Sequence, residues 1–292
     1  MKQLRQNLPR GAVLYMLIAG VCFALVHASV KYIPRIPAHE LVVARAIISI
    51  VITWFALKKV GLSAWGQNRP MLVFRGAAGT GALVLYFYTL QKMPLATAVT
   101  VQYLHPILTV ILAAFFLRER ATWAQWLCFA ASFVGVLLVR GFDARVTAFD
   151  LALGVASAVL SAVAYNLIRA LRNEDHALVV MFYLPLVSLV TVGPWTFFHF
   201  VMPQGQEWPV LIFIGVFTQI AQYFMTRAYQ ADTAANISNL NYLGIFYASA
   251  IGFLLFDEQV MGLAALGISI IVASAILSTR LSRRQKTPSL AA

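Results

Sequence analysis

Acidic side chains are scarce: 292 residues hold 10 Asp and Glu against 22 Lys and Arg, and every acid sits at the end of an apolar stretch or in a connection. Intramembrane aspartyl or zinc proteolysis needs carboxylates or metal-binding groups at depth, and neither an HExxH sequence nor a pair of Asp inside a stretch is present. The same scarcity disfavours coupling through a midplane carboxylate and a channel with pore-lining acids or a selectivity sequence. Cysteine is nearly absent. Cys22 and Cys128 both lie inside apolar stretches, without CxxC spacing or a nearby His that would complete a metal set, and read as small buried apolar residues. No metal, cofactor or catalytic constellation is expected. Charged residues make up only 11% of the chain while hydrophobic ones reach 61%, a balance that no water-soluble domain of this size could bury.

What the chain has instead is ten apolar stretches, at 11–33, 38–57, 71–91, 94–117, 123–140, 149–170, 178–200, 208–229, 233–256 and 260–280. About 20 apolar residues suffice to cross a bilayer core, so the expectation is an all-α integral membrane protein of ten transmembrane helices. Helices satisfy their own backbone in lipid, and the runs greatly exceed the roughly ten alternating residues of a barrel strand. The charged start and apolar run of the first stretch resemble a secretory signal. That reading is rejected because the run continues to Ile33 and has a counterpart in the second half.

The net charge of +12 would suggest nucleic acid for a soluble protein; here the basic residues cluster at span ends and report orientation. With the N-terminus inside, one side collects Lys2, Arg5, Arg10, Lys58, Lys59, Arg69, Arg75, Arg118, Arg120, Arg169, Arg172, Arg227, Arg280, Arg283, Arg284 and Lys286. The other has Lys31, Arg35, Lys92, Arg140 and Arg145, with Arg45 within a span. Both termini are therefore expected to be cytoplasmic, and the expected partners are the lipid bilayer and a small-molecule solute, with no nucleic acid. Nothing in the chain specifies an oligomeric state.

The second half echoes the first. Tyr86-Phe87-Tyr88-Thr89 matches Tyr223-Phe224-Met225-Thr226 at a separation of 137 residues, with Ala98 opposite Ala235; Phe116-Leu117-Arg118-Glu119 then lies opposite Leu255-Phe256-Asp257-Glu258 after a two-residue shift. Five spans per half force the halves into opposite orientations, giving two inverted five-helix repeats, 11–140 and 149–280, between an N-terminal segment 1–10 and a basic tail 281–292.

Polar groups at depth are neutral, aromatic or imidazole. Gln102 and His105 share a face beside the backbone break of Pro106. Asn236 and Asn239 share a face at the same spacing, followed by Tyr242. Gln219, Gln222 and Tyr223, then Tyr86, then Ser161, Tyr165 and Asn166 add to the set. Buried amides cost several kcal/mol in hydrocarbon unless paired or facing water, so these faces are expected to converge on a cavity; interhelical hydrogen bonding is the alternative for any one of them. His27 and His105 are the proton-coupling candidates, with a neutral imidazole bonded to a carbonyl as the alternative. Arg45 either snorkels to the interface or faces the cavity as an anion contact, and Lys31 invites the same two readings. The six Trp residues lie mainly near span ends, where they read as interfacial anchors.

The chain resembles the drug/metabolite transporter superfamily, specifically its EamA-type ten-span bacterial members. The resemblance rests on Glu40-Leu41-Val42-Val43-Ala44-Arg45, on the run from Leu85-Tyr86-Phe87-Tyr88-Thr89-Leu90 through Pro94-Leu95-Ala96 to Pro106-Ile107 and Phe116-Leu117-Arg118-Glu119, on Phe256-Asp257-Glu258, and on Glu174-Asp175-His176 leading to Val180-Met181-Phe182-Tyr183. It implies an inner-membrane carrier, with spans one to four and six to nine around a central cavity and spans five and ten outside. Relatives of this type carry amino acids and their derivatives, nucleotide-like metabolites such as S-adenosylmethionine, vitamins or drugs. The expected function is therefore alternating-access transport of a small polar or zwitterionic organic metabolite, with Tyr86, Gln102, His105, Tyr165, Asn166, Gln222, Asn236, Asn239 and Arg45 as substrate contacts. A non-transporting receptor or membrane enzyme on the same fold is the alternative.

Overall fold

The computed structural model describes residues 8–92, 98, 101–118, 122–139, 147–244, 247 and 251, with eight further positions between 266 and 277. The expected tenth span and the far half of the ninth lie largely outside the described residues. Among the described residues the chain is all-helical: α1 (Leu8–Tyr32), α2 (Ala38–Val60), α3 (Arg69–Lys92), α4 (His105–Phe116), α5 (Trp123–Val139), α6 (Ala148–Ala170), α7 (Ala177–Phe198), α8 (Glu207–Ala231) and α9 (Ala234–Asn241). Six of these, α1, α2, α3, α6, α7 and α8, are long and apolar enough to cross a membrane, and α4 is a shorter apolar helix.

Local chemistry sets the ends. Gly61 closes α2 at φ 70° and returns its N–H to the carbonyls of Leu57 and Lys58, a left-handed stop that glycine adopts without steric cost. His176 Nδ1 accepts from the Leu178 N–H to start α7. The fourth apolar run is interrupted: Val101 and Gln102 are helical, Tyr103 and Leu104 form a turn, and α4 begins at His105, beside Pro106, which has no N–H to give and whose ring crowds the preceding turn. The ninth span breaks at the matching place, at Tyr242, with no proline there.

Packing follows a rule of five. α1 lies along α8 and α3 along α6; α2 meets α8 and α3 meets α7; α4 meets α6 and α1 meets α9; α2 also packs on α7, and α4 on α9. Advancing every label by five turns this set of pairs into itself. Close approaches repeat in the same way. A Cβ on Gly76 of α3 would stand 3.1 Å from Val187 Cβ of α7, and one on Gly215 of α8 would stand 2.8 Å from Ile48 Cβ of α2; both members of the second contact are 139 residues from their counterparts in the first. Small residues let backbones close up where lipid supplies no hydrophobic drive. The 139-residue register is the one carried by Phe116 and Leu255. The 137-residue alignment of Tyr86 with Tyr223 is two residues out, because apolar helices match acceptably at several offsets and only contacts discriminate between them.

Two apolar clusters cap the bundle. One gathers Ala12, Met16, Leu72, Ile168, Leu171 and Val180; the other gathers Val30, Ile33, Ile36, Leu41, Phe87 and Ile214. Polar ties between the halves close each end. Arg35 donates to the Glu207 carboxylate and the Met202 carbonyl, while Glu40 accepts from the Val201 N–H. At the opposite end Asp175 accepts from the N–H groups of Gln67 and Asn68. Large apolar side chains such as Phe55, Phe74, Phe115 and Phe197 face outward, as lipid permits and water would not.

Candidate functional site

Between the two clusters lies a cavity of about 1120 Å³ of atom-free space, counted with its open side. α1, α2, α3, α6, α7, α8 and α9 all contribute to its wall, together with Gln102 and Tyr103 at the break before α4 and His105 at its start; no described residue of α5 does. The 139-residue register runs through the lining. Gln102 and Asn241, Tyr103 and Tyr242, His105 and Gly244, Arg45 and Leu184, Gly79 and Thr218, Leu83 and Gln222, and Val26 and Tyr165 are all equivalent pairs. Every one of these residues except Tyr242 lines the cavity, and the Tyr242 ring stacks on Tyr103 at a centroid distance of 5.9 Å. Positions are thus shared between the halves while chemistry is not.

Of the residues expected from the sequence, Arg45, Tyr86, Gln102, His105, Tyr165, Gln222 and His27 are brought together on this wall. The Gln102 carboxamide is already engaged on α6, with Nε2 donating to Ser161 Oγ at 2.9 Å and Oε1 lying 3.0 Å from Ser157 Oγ. His105 turns its ring edge-on to Tyr165 at 5.1 Å, its Nδ1 buried without a hydrogen-bond partner. His27 packs edge-on to Tyr86 at 5.5 Å and stacks on Phe23. Tyr165 stacks on Tyr229, whose hydroxyl accepts from Asn241 Nδ2 at 2.9 Å.

Three expectations change. Asn166 does not line the cavity: its Nδ2 donates to the carbonyls of Thr109 at 3.0 Å and Ala162 at 2.9 Å, the interhelical alternative. Asn236 sits in the first turn of α9 and donates to Asp232 Oδ1 at 2.9 Å, away from the cavity. The side chain of Asn239 lies outside the described residues. Arg75 moves the other way. Counted among the basic residues of one membrane face, it is instead 1% exposed and lines the cavity; it stands six residues into α3, about 9 Å at 1.5 Å per residue, too deep for its charge to belong to the end. Its position inside the 71–91 stretch was the signal. Arg169 is likewise buried, its Nη1 within 3.4 Å of the Gln230 carbonyl. Asn241 was missed for want of the correct register, which places it opposite Gln102.

Two matched copies meet along a shared seam around one cavity. The model of the EamA-like transporter family matches residues 10–141 and again 149–280. The chain belongs to the EamA-like transporter family. Within this family it is 30% identical over 277 residues to the pseudopaline exporter CntI of Pseudomonas aeruginosa, covering 94% of this chain and 98% of that protein. It is 25% identical over 296 residues to a riboflavin transporter of Vibrio cholerae, covering 95% and 97%, and 24% identical to human solute carrier family 35 member G1, covering 86% and 73%. A crystal structure of a protein at 22% identity superposes with a TM-score of 0.82, over 94% of this chain and 99% of that one, and shares the fold. These relatives place the EamA-type chain in the drug/metabolite transporter superfamily, and their names are those of transporters rather than enzymes.

Proposed function

We propose that the protein is a secondary carrier that moves a small polar organic metabolite across a bacterial inner membrane by alternating access. One observation carries this reading: both repeats supply equivalent positions to one largely apolar cavity that holds a few charged and polar side chains between two apolar plugs, and two spans break at that cavity, at Tyr103 and Tyr242. Discontinuous helices at a repeat interface are where carriers of this architecture hold their solutes. Arg45, Tyr86, Gln102, His105, Tyr165 and Gln222 are the recognition set, and any proton coupling passes through His27 or His105. Rocking of one repeat against the other opens one plug while closing the other; the membrane orientation has both termini cytoplasmic.

The test is solute flux into liposomes containing only this protein, across amino acids, organic acids, nucleotide-like metabolites and vitamins. The expected outcome is saturable uptake that falls at least tenfold in Gln102→Ala and in Arg45→Gln, both of which still insert, and stays near the parent value in Trp65→Ala. Equal flux in all four proteins would remove the cavity from the mechanism.

A further inference from the structure

Two guanidinium groups face the cavity, and no acid among the described residues neutralises them. Arg75 and Arg45 are 1% and 3% exposed. Arg75 Nη2 reaches Gln222 Oε1 at 3.4 Å, while Nε and Nη1 are buried without a hydrogen-bond partner. Among the described residues no hydrogen bond or ion pair involves Arg45. The two charges lie within electrostatic reach of each other and of the Tyr165 phenol, and no carboxylate among the described residues acts on either. Gly79, one turn on, lies against the Arg75 head, an added Cβ there standing in ordinary contact with Nη1 at 3.5 Å. The fold does not demand these charges: the equivalent of Arg45 in the second repeat is Leu184, which lines the same wall.

Burying an unpaired charge is costly, and burying two that repel each other more so. Each guanidinium presents five N–H donors in a planar fork that matches a carboxylate or phosphate edge, yet the protein fills only one of these positions on Arg75. We infer that the ligand of this cavity is a small organic dianion, bearing two carboxylates or a phosphate monoester, which bridges Arg45 and Arg75. A zwitterion fits less well, since its ammonium group would meet two positive charges and no carboxylate. This inference rests on the cavity being the solute site.

The test uses the full-length protein in detergent and follows thermal unfolding at matched ionic strength. The dianions are succinate, phthalate and phenyl phosphate, compared with acetate, benzoate, alanine and choline. A ligand that binds only the folded state raises the midpoint, so the dianions are expected to raise it and their singly charged analogues to do so far less. Succinate or phthalate acting without phenyl phosphate would assign the two-carboxylate form, and the reverse would assign the phosphate form. Arg45→Gln and Arg75→Gln are each expected to weaken the apparent affinity at least tenfold, and the exposed Lys58→Gln to leave it unchanged. Arg75→Lys, which keeps the charge and loses the fork, is expected to be intermediate and serves if Arg75→Gln does not fold. No advantage of dianions over monoanions, or stabilisation by alanine that survives both arginine changes, overturns the inference. Flux separates it from the transport reading: a dianion that binds but never crosses liposomes retains the site and defeats transport, whereas arginine-independent flux of a neutral solute retains transport and defeats the dianion.

Discussion

Asn166 and Gln102 are amides inside the same bundle, and their hydrogen bonds assign them different work. Both amide hydrogens of Asn166 are spent on carbonyls of α4 and of its own helix, so Asn166→Ala is expected to cost about 1–3 kcal/mol of stability and leave ligand affinity unchanged. Gln102 holds the cavity wall against Ser161 and Ser157, so Gln102→Ala is expected to reduce affinity at least tenfold. Thermal unfolding with and without ligand reads both quantities, and the opposite pattern would exchange the two roles. Polarity inside an apolar stretch marked both residues in the sequence. It could not divide them, because a buried amide is satisfied equally well by a carbonyl or by a solute, and only the positions of the neighbours decide which. Arg75 is the converse case: its proximity to a helix end hid a charge that the fold turns inward.

At the level of helices, the seam between repeats depends on glycine. The hydrogen of Gly76 faces the Tyr183 carbonyl, which would stand 2.8 Å from an added Cβ, and backbone cannot retreat as a side-chain tip can. Gly76→Ala is therefore expected to destabilise the protein by about 1–3 kcal/mol through overpacking, visible as a lower unfolding midpoint. Gly193→Ala in α7, where nothing lies within 4 Å of the new atom, is expected to be neutral. An equal effect of the two changes would show that α3 and α7 do not hold this contact in the membrane. The break at Tyr103 was legible from Pro106. Its partner at Tyr242 has no proline, and the signal for it is positional: Tyr242 occupies in the second repeat the place that Tyr103 holds in the first.

At the scale of the whole molecule, orientation and asymmetry remain linked to charge. Removing the buried Arg75 and Arg169 from the basic set leaves its excess on one side intact, so the positive-inside rule gives the same expectation, both termini in the cytoplasm. Reporter fusions at each end test this: a fluorescent protein that matures only in the cytoplasm is expected to be bright at both termini, and a periplasm-active phosphatase to be silent at both. A split result would contradict an even number of spans. The exchange of helix pairs on advancing by five, α1 with α8 against α6 with α3, gives the cavity two equivalent halves in position. Among the described lining residues formal charge enters from one half alone, so the proposed site would present different groups to the two ends of a solute even though the scaffold does not.

The membrane class and helical spans, the two-copy organisation and the presence of polar groups at depth were determined by the sequence alone. Hydropathy over about 20 residues is set by composition, and a polar group in an apolar run stands out without any knowledge of its neighbours. Only the tertiary structure decided the 139-residue register, the diversion of Asn166 and Asn236 into structural hydrogen bonds, and the placing of Arg75 on the same cavity wall as Arg45. Each of these depends on which atoms of other helices come within a few ångströms, and no pattern along one helix contains that information.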